Sequence, residues 1–185
     1  VIEILMNTTS DMVKQAESQM NRIRSRALLD LVMSFCDVVS AHEPALAEPY
    51  IKKSLGYMWV GEDDDALELL AKGLNNVRTD KDKAKIFSTM GDYYHSLGKT
   101  EQMFASYDST LVYDPQNISV LNNYSYFMAL EDRDLEKALQ MSAKTLEAEP
   151  LNATFLDTYA WILFRMKKYK EALSYMEKAL RYLDE

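Results

Sequence analysis

The stretch YAWILFRMKKYKEALSYMEKAL, residues 159–180, decides the fold because a lysine pair separates two helical patterns within it. The first pattern begins just before the stretch and follows the i, i+3, i+4, i+7 spacing of one apolar helix face. Its members are Leu156, Tyr159, Ala160 and Leu163. A second pattern of the same kind starts at Tyr169 and runs to Leu180. The stretch therefore predicts two antiparallel helices joined by a tight turn near Lys167.

The same helix pair recurs along the chain at intervals of 34 to 37 residues. A small residue marks the first helix of each predicted pair: Ser54, Gly91, Ser125 and Ala160. A second series marks the second helix: Ala66, Met103, Ala138 and Ala172. Because the two series agree, the sequence predicts a stack of helix pairs, each burying an apolar side that a single pair would leave exposed.

Other positions follow the same register. Three residues after each small residue of a first helix stands a large apolar side chain: Tyr57, Tyr94, Met128 and Leu163. Gly61 and Gly98 mark the predicted turns, and Pro115 and Pro150 close repeats. With its period near 34, this pattern resembles the tetratricopeptide repeat (TPR), most clearly in FSTMGDYYHSLG, residues 87–98. LNNYSYFMALEDRDLEKAL and LDTYAWILFRMKKYKEAL also resemble adjacent repeats of bacterial TPR proteins.

The resemblance implies an all-α fold, a right-handed α-solenoid of about five antiparallel helix pairs. Residues 47–185 form the TPR-like array, with repeats near 47–78, 84–115, 118–150 and 153–184. Residues 1–46 are predicted to be a divergent helical repeat, with helices near 10–24 and 26–42 and VIEILM as the stub of a preceding helix. The whole is expected to be a single continuous solenoid.

Composition narrows the function. The chain has 185 residues, 48% of them apolar, and a formal net charge of -8, which argues against nucleic acid because phosphate binding depends on Lys and Arg. No apolar run approaches the roughly 20 residues of a membrane-spanning helix, so we expect no membrane insertion by this segment. Cys36 is the only cysteine, so no intrachain disulfide can form. Since the chain starts at Val1, we expect it to be a piece of a longer protein.

Signals of catalysis are nearly absent, and we predict that the chain is not an enzyme and needs no cofactor or metal. His42 and His95 lack the spacing of metal ligands, and there is no glycine-rich phosphate loop. The acidic run Glu62–Asp65 is placed to cap a second helix and complement its dipole. Asn117 and Asn152 begin glycosylation-like triplets, which we interpret as chance matches.

The resemblance places a ligand groove on the first helices of the repeats. The residue after each small residue should point toward the concave face, since one step along a helix is about 100° around its axis. With neighbours one turn before or after, the predicted groove residues are Leu55, Trp59, Asp92, His95, Asn122, Tyr126, Asp157, Trp161 and Phe164. TPR domains that hold a partner's C-terminal carboxylate carry Lys, Arg and Asn there, so that clamp is not expected. The alternative, that Tyr126 and Trp161 pack against neighbouring repeats, stays open.

The predicted function is a scaffold that binds a peptide or protein segment, with apolar anchors and some positive charge, in the concave groove. The alternative is a structural module that self-associates through the ends of its solenoid and binds no peptide. Leu173, Met176 and Leu180 are expected to leave an apolar surface at the last helix pair, which predicts either further repeats in the parent protein or self-association here. The sequence decides neither the partner nor the compartment, whether the cytoplasm or the cell envelope of a bacterium.

Overall fold

The computed structural model describes the backbone of residues 22–183 and the side chains of residues 27–183. Within that range the chain is helical and contains no strand, which confirms the all-α prediction. The described helices are α1 (Arg22–His42), α2 (Ala47–Val60), α3 (Asp63–Asn76), α4 (Asp80–Ser96), α5 (Thr100–Tyr113), α6 (Ile118–Leu130), α7 (Leu135–Ala148), α8 (Ala153–Arg165) and α9 (Tyr169–Arg181).

Of the predicted N-terminal helix pair, only the second helix lies fully within the described residues. VIEILM and most of the helix predicted at 10–24 lie outside the described residues. The helix predicted near 26–42 is present but begins earlier, because α1 runs without a break from Arg22 to His42. Residues 22–42 contain no glycine or proline, so nothing in this stretch interrupts a helix.

The helices form two compact units that divide between Ser106 and Tyr107, inside α5. In the first unit α1 packs on α2, α2 pairs with α3, and α4 packs against both members of that pair. The core of this unit consists of Ala47, Leu70, Val77 and Ile86, with Ile51, Met58, Leu74 and Met90 packed around it.

In the second unit α6 pairs with α7 and α8 pairs with α9. α8 also packs against both α6 and α7, so one helix covers the preceding pair. Tyr107 is fully buried at the start of this unit, where its ring contacts those of Tyr124 and Phe127 at centroid distances of 5.8 Å and 6.4 Å. In both units, therefore, a helix of the next pair packs on the pair before it.

Both series of small residues are buried, as expected where helices pass closely. All four first-helix residues, Ser54, Gly91, Ser125 and Ala160, are buried, and so are Ala66, Met103, Ala138 and Ala172. The apolar residues around them recur at helical spacing, which is why these segments form helices. The continuity of the solenoid across both units stays a prediction.

The four turns between first and second helices share one backbone conformation. Each contains a residue with positive φ seven positions after the small residue: Gly61 (81°), Gly98 (67°), Asp132 (53°) and Lys167 (63°). The next amide donates to the carbonyl of the large apolar residue of the register, as in Lys168 N to Leu163 O at 2.9 Å. Corresponding bonds join Glu62 to Tyr57, Lys99 to Tyr94 and Arg133 to Met128. This is the Schellman arrangement, and it fixes the turn predicted at Lys167.

Candidate functional site

In the first unit the predicted groove residues lie on two helices that pack together. Leu55 and Trp59 lie one turn apart on α2, while Asp92 and His95 lie on α4. All four are exposed. A surface with two large apolar side chains on one helix and a carboxylate and an imidazole on the next can take both an apolar and a charged group.

In the second unit the predicted residues lie on α6 and α8, which also pack together. Tyr126, Asp157 and Phe164 are exposed and Trp161 is half-buried. Asn122 differs from the expectation, because only 6% of it is exposed. Helix packing around α6 covers this position, so Asn122 offers little surface to a ligand.

Three polar atoms of the second unit are buried without a hydrogen-bond partner in the described part of the chain. They are Asn122 Oδ1, Ser142 Oγ and Trp161 Nε1. Asn122 Nδ2 does donate, over a long 3.5 Å, to Asn123 Oδ1. An unpaired buried polar atom is unfavourable, so the sequence tolerates a local loss of stability at two predicted groove positions.

The aromatic residues at the end of α8 form a cluster with the start of α9. The Trp161 and Phe164 rings stack at 5.7 Å, and Phe164 meets Tyr169 at 5.5 Å. The Arg165 guanidinium lies 5.5 Å from the Trp161 ring centre. Its Nη2 forms an ion pair with Asp132 at 2.6 Å and its Nη1 donates to Leu130 O at 3.2 Å. These contacts hold Arg165 against the indole.

This cluster forms part of an open apolar pocket of about 480 Å³ between α8 and α9, which we call the α8–α9 pocket. Its lining is Ala160, Trp161, Phe164, Tyr169, Ala172, Leu173 and Met176. The sequence placed Trp161 and Phe164 in a groove, and Leu173 and Met176 at the end of the array. The structure brings both sets into one pocket and adds Tyr169, which the sequence analysis missed although it lies in the second helical pattern.

Lysines are concentrated in the turn that leads from α8 into α9. Lys167, Lys168 and Lys170 are exposed around the turn that joins the two helices. Elsewhere the groove positions carry acidic groups, Asp92 on α4 and Asp157 on α8. The two surfaces therefore differ in the charge of the ligand that each would favour.

The single thiol is buried in the first unit. Cys36 is buried in α1 and lies beside a cavity of about 270 Å³ that Asp37, Tyr50, Lys53 and Lys72 also line. Burial raises the pKa of the Cys36 thiol to about 11, and the charge of Asp37 raises it further while Lys52 and Lys53 oppose this. The thiol therefore stays protonated, and a protonated thiol is a poor nucleophile.

The described residues hold neither a metal-binding cluster nor a membrane-spanning helix. Within residues 27–183, no three or more His, Cys, Asp and Glu side chains are grouped so that they could bind a metal ion. None of the described helices has the length and apolar character needed to cross a membrane.

No protein-family model matches the chain. Over 139 residues, 72% of its length, the chain is 28% identical to the type IV pilus assembly protein PilF of Pseudomonas aeruginosa. It spans about half of that protein, 52%.

Solved structures show the same fold. MamA has a TM-score of 0.68 at 17% identity, over 89% of this chain and 94% of MamA. YrrB, a TPR protein with an unusual peptide-binding site, has a TM-score of 0.65 at 15% identity, over 98% of this chain and 93% of YrrB. By its helix pairs, its register of small residues and this structural similarity, the chain belongs to the tetratricopeptide-repeat fold.

Proposed function

We propose that this chain is a non-catalytic scaffold that binds a peptide or protein segment on the surface of its first helices. One observation carries the proposal: large apolar side chains are exposed at matching register positions on separate helices. Leu55 follows Ser54 on α2 and Tyr126 follows Ser125 on α6, and both are exposed although the residues before them are fully buried. Exposed apolar groups that recur in register favour a binding surface over chance exposure.

The charged residues on these surfaces favour a ligand that carries positive charge. Asp92 takes the position on α4 that Leu55 takes on α2, and Asp157 lies one turn before Trp161 on α8. Both carboxylates are exposed, in a chain with a formal net charge of -8. A segment with apolar anchors and Lys or Arg between them fits this pattern, with the anchors supplying affinity and the charge supplying orientation.

Two relatives support a role in binding other proteins. YrrB has a peptide-binding site, and PilF takes part in type IV pilus assembly. Both observations belong to those proteins, and they make protein binding the first function to test for this chain.

The test uses a random-peptide library selected on the wild-type protein. We expect the recovered peptides to combine aromatic or aliphatic residues with Lys or Arg. Tyr126→Ala and Leu55→Ala should each weaken the recovered peptide by about tenfold or more, as anchor residues do. Val112→Ala is the matched control, because Val112 is exposed on α5 outside this register.

Stability measured on the same variants separates binding from packing. If Tyr126→Ala lowers the free energy of unfolding but leaves peptide affinity unchanged, the ring belongs to the core and the proposal loses its main support. A library that yields only acidic peptides would contradict the proposed ligand chemistry.

A further inference from the structure

The helix pair α6–α7 shows what covers a pair in this fold. Ala129 and Ser142 are fully buried there, and α8 packs against both helices. One repeat later the equivalent residues are Phe164 and Met176, which line the α8–α9 pocket. Phe164 is 50% exposed and its neighbour Leu173 is 61% exposed. By this internal comparison, the occupant that fits the α8–α9 pocket is a single helix.

α8 also shows what such a covering helix needs. Its buried residues fall on two sides: Leu156, Ala160 and Leu163 on one, and Thr158 and Ile162 on another. Ala160 lines the pocket shared with α9, so the first side faces that helix. The second side is then left for α6 and α7. A covering helix therefore has two buried faces, one for its own pair and one for the neighbour.

α1 has two such faces, and within the part of the chain that the structure describes only one of them is covered. Leu29, Val32, Cys36 and Val39 are buried on the side that packs toward α2. Leu31 and Val38, two turns apart, are 44% and 54% exposed, with half-buried Phe35 between them. We call Leu31, Phe35 and Val38 the outer stripe. A helix face of this apolar kind is what would cover the α8–α9 pocket.

Acidic residues flank the outer stripe, and lysines lie in the turn next to the α8–α9 pocket. Asp30 and Asp37 directly precede Leu31 and Val38, and both are exposed. Asp37 already contacts Lys53 at 2.5 Å, yet 61% of its side chain stays exposed. At the α8–α9 pocket, the exposed Lys168 and Lys170 stand on either side of the lining residue Tyr169, and Glu171 and Glu177 are exposed further along α9. Opposite charges around two apolar surfaces favour one orientation of approach.

We propose that the α8–α9 pocket of one copy binds the outer stripe of α1 of a second copy, head to tail. The two surfaces lie at different places on the chain, so the interface is heterologous and each bound copy presents a further free surface. Association therefore continues beyond a dimer unless the rotation between copies closes a ring. The pocket shares Trp161 and Phe164 with the predicted groove but not Leu55 and Tyr126, so variants at those two residues distinguish this inference from the proposed peptide binding.

Sedimentation across a concentration series tests the proposal with two single variants. Leu173→Asp removes the pocket and Val38→Asp removes the stripe, and both positions are exposed enough for the fold to tolerate the change. The wild-type mass should grow with concentration, while each variant alone should remain monomeric. An equimolar mixture of the two should form a heterodimer and nothing larger, because each partner keeps only one working surface.

Two further variants serve as controls for the association experiment. Val112→Asp, at a residue 74% exposed, should associate like the wild type. Lys168→Glu combined with Lys170→Glu leaves the apolar lining intact and should weaken association by about tenfold or more, which keeps the proposal testable if Leu173→Asp fails to fold. A wild-type chain that stays monomeric, a Val38→Asp variant that still associates, or a mixture that stays monomeric would each overturn it.

Discussion

Gly73 lies where three helices of the first unit approach one another. A Cβ added to Gly73 would lie 2.9 Å from Tyr50 Cγ on α2 and 3.0 Å from Ile86 Cδ1 on α4. The Tyr50 contact is at the base of the ring, which cannot swing away as a flexible chain end can. The register of small residues did not include this glycine, although it lies seven residues after Ala66.

Gly73→Ala should lower the free energy of unfolding by about 1 to 3 kcal/mol, because the added methyl overpacks this crossing. Alanine is the better helix former by about 1 kcal/mol, so the measured change is net of that gain. Chemical denaturation measures it. Asn75→Ala, exposed on the same helix, is the control and should be neutral or slightly stabilising. Equal stability of the two variants would show that the crossing can relax.

Two buried tyrosines predict sensitivity to alkaline pH. Tyr93 donates to Asp63 Oδ1, and Tyr124 donates to Asp108 Oδ1 at 2.8 Å. Burial, together with the hydrogen bond to the carboxylate, raises the pKa of each tyrosine above its usual value of 10. Both hydroxyls are therefore held protonated in the folded chain.

The raised pKa determines how the stability of the folded chain changes with pH. The stabilisation is fully present below pH 10 and is lost as pH rises above it, because the unfolded chain then releases protons that the folded chain retains. We expect Tyr93→Phe and Tyr124→Phe to be less stable than the wild type at neutral pH, and the difference to narrow above pH 10. Urea denaturation at each pH measures this. A difference that stays constant with pH would contradict it.

At the scale of the helix pair, the turn is the element that repeats most closely. Its left-handed position is glycine in two repeats, aspartate in one and lysine in the last. Only glycine adopts positive φ without a steric penalty from Cβ. Asp132 and Lys167 therefore hold a conformation that the surrounding Schellman hydrogen bonds impose.

Lys167→Gly should raise the free energy of unfolding by up to about 1 kcal/mol, because it relieves the left-handed strain of a side-chain-bearing residue. The gain is smaller than that strain since glycine also makes the unfolded chain more flexible. Thermal unfolding measures it. Gly98→Lys makes the reverse change at the equivalent turn and should destabilise; if it does not, the turn conformation carries no strain.

Two asparagines that begin glycosylation-like triplets, Asn117 and Asn152, have a structural role at the starts of helices. Asn117 accepts from Val120 N at 3.1 Å, and Asn152 accepts from Thr154 N and Phe155 N at 3.0 Å and 3.3 Å. They cap α6 and α8, so both asparagines stabilise helix starts. The expectation for the acidic run needs correction: Glu62 is the N-cap of α3 but makes no side-chain cap hydrogen bond. Asp63, Asp64 and Asp65 instead fill the first turn, where they complement the dipole.

Across the whole molecule, the formal net charge of -8 should control how fast a cationic ligand associates. Raising salt from about 0.1 M to about 1 M shortens the screening length from about 10 Å to about 3 Å. For a peptide with Lys or Arg between apolar anchors, the association rate should fall by about tenfold or more, with a smaller change in the dissociation rate. Stopped-flow kinetics measure both rates. The same peptide with its basic residues replaced by Gln is the control, and equal salt dependence of the two would exclude electrostatic steering.

By itself the sequence determined the helical class, the repeat period and the turns at Gly61, Gly98 and Lys167. These depend on spacing within one helix or between neighbouring helices, which periodicity records directly. Only the tertiary structure decided which register positions face solvent. Asn122 is buried, whereas Trp161 and Phe164 join Leu173 in a pocket, because the exposure of a side chain depends on helices that other parts of the chain supply. A pattern along one helix carries no information on how much of its outer face those neighbours cover.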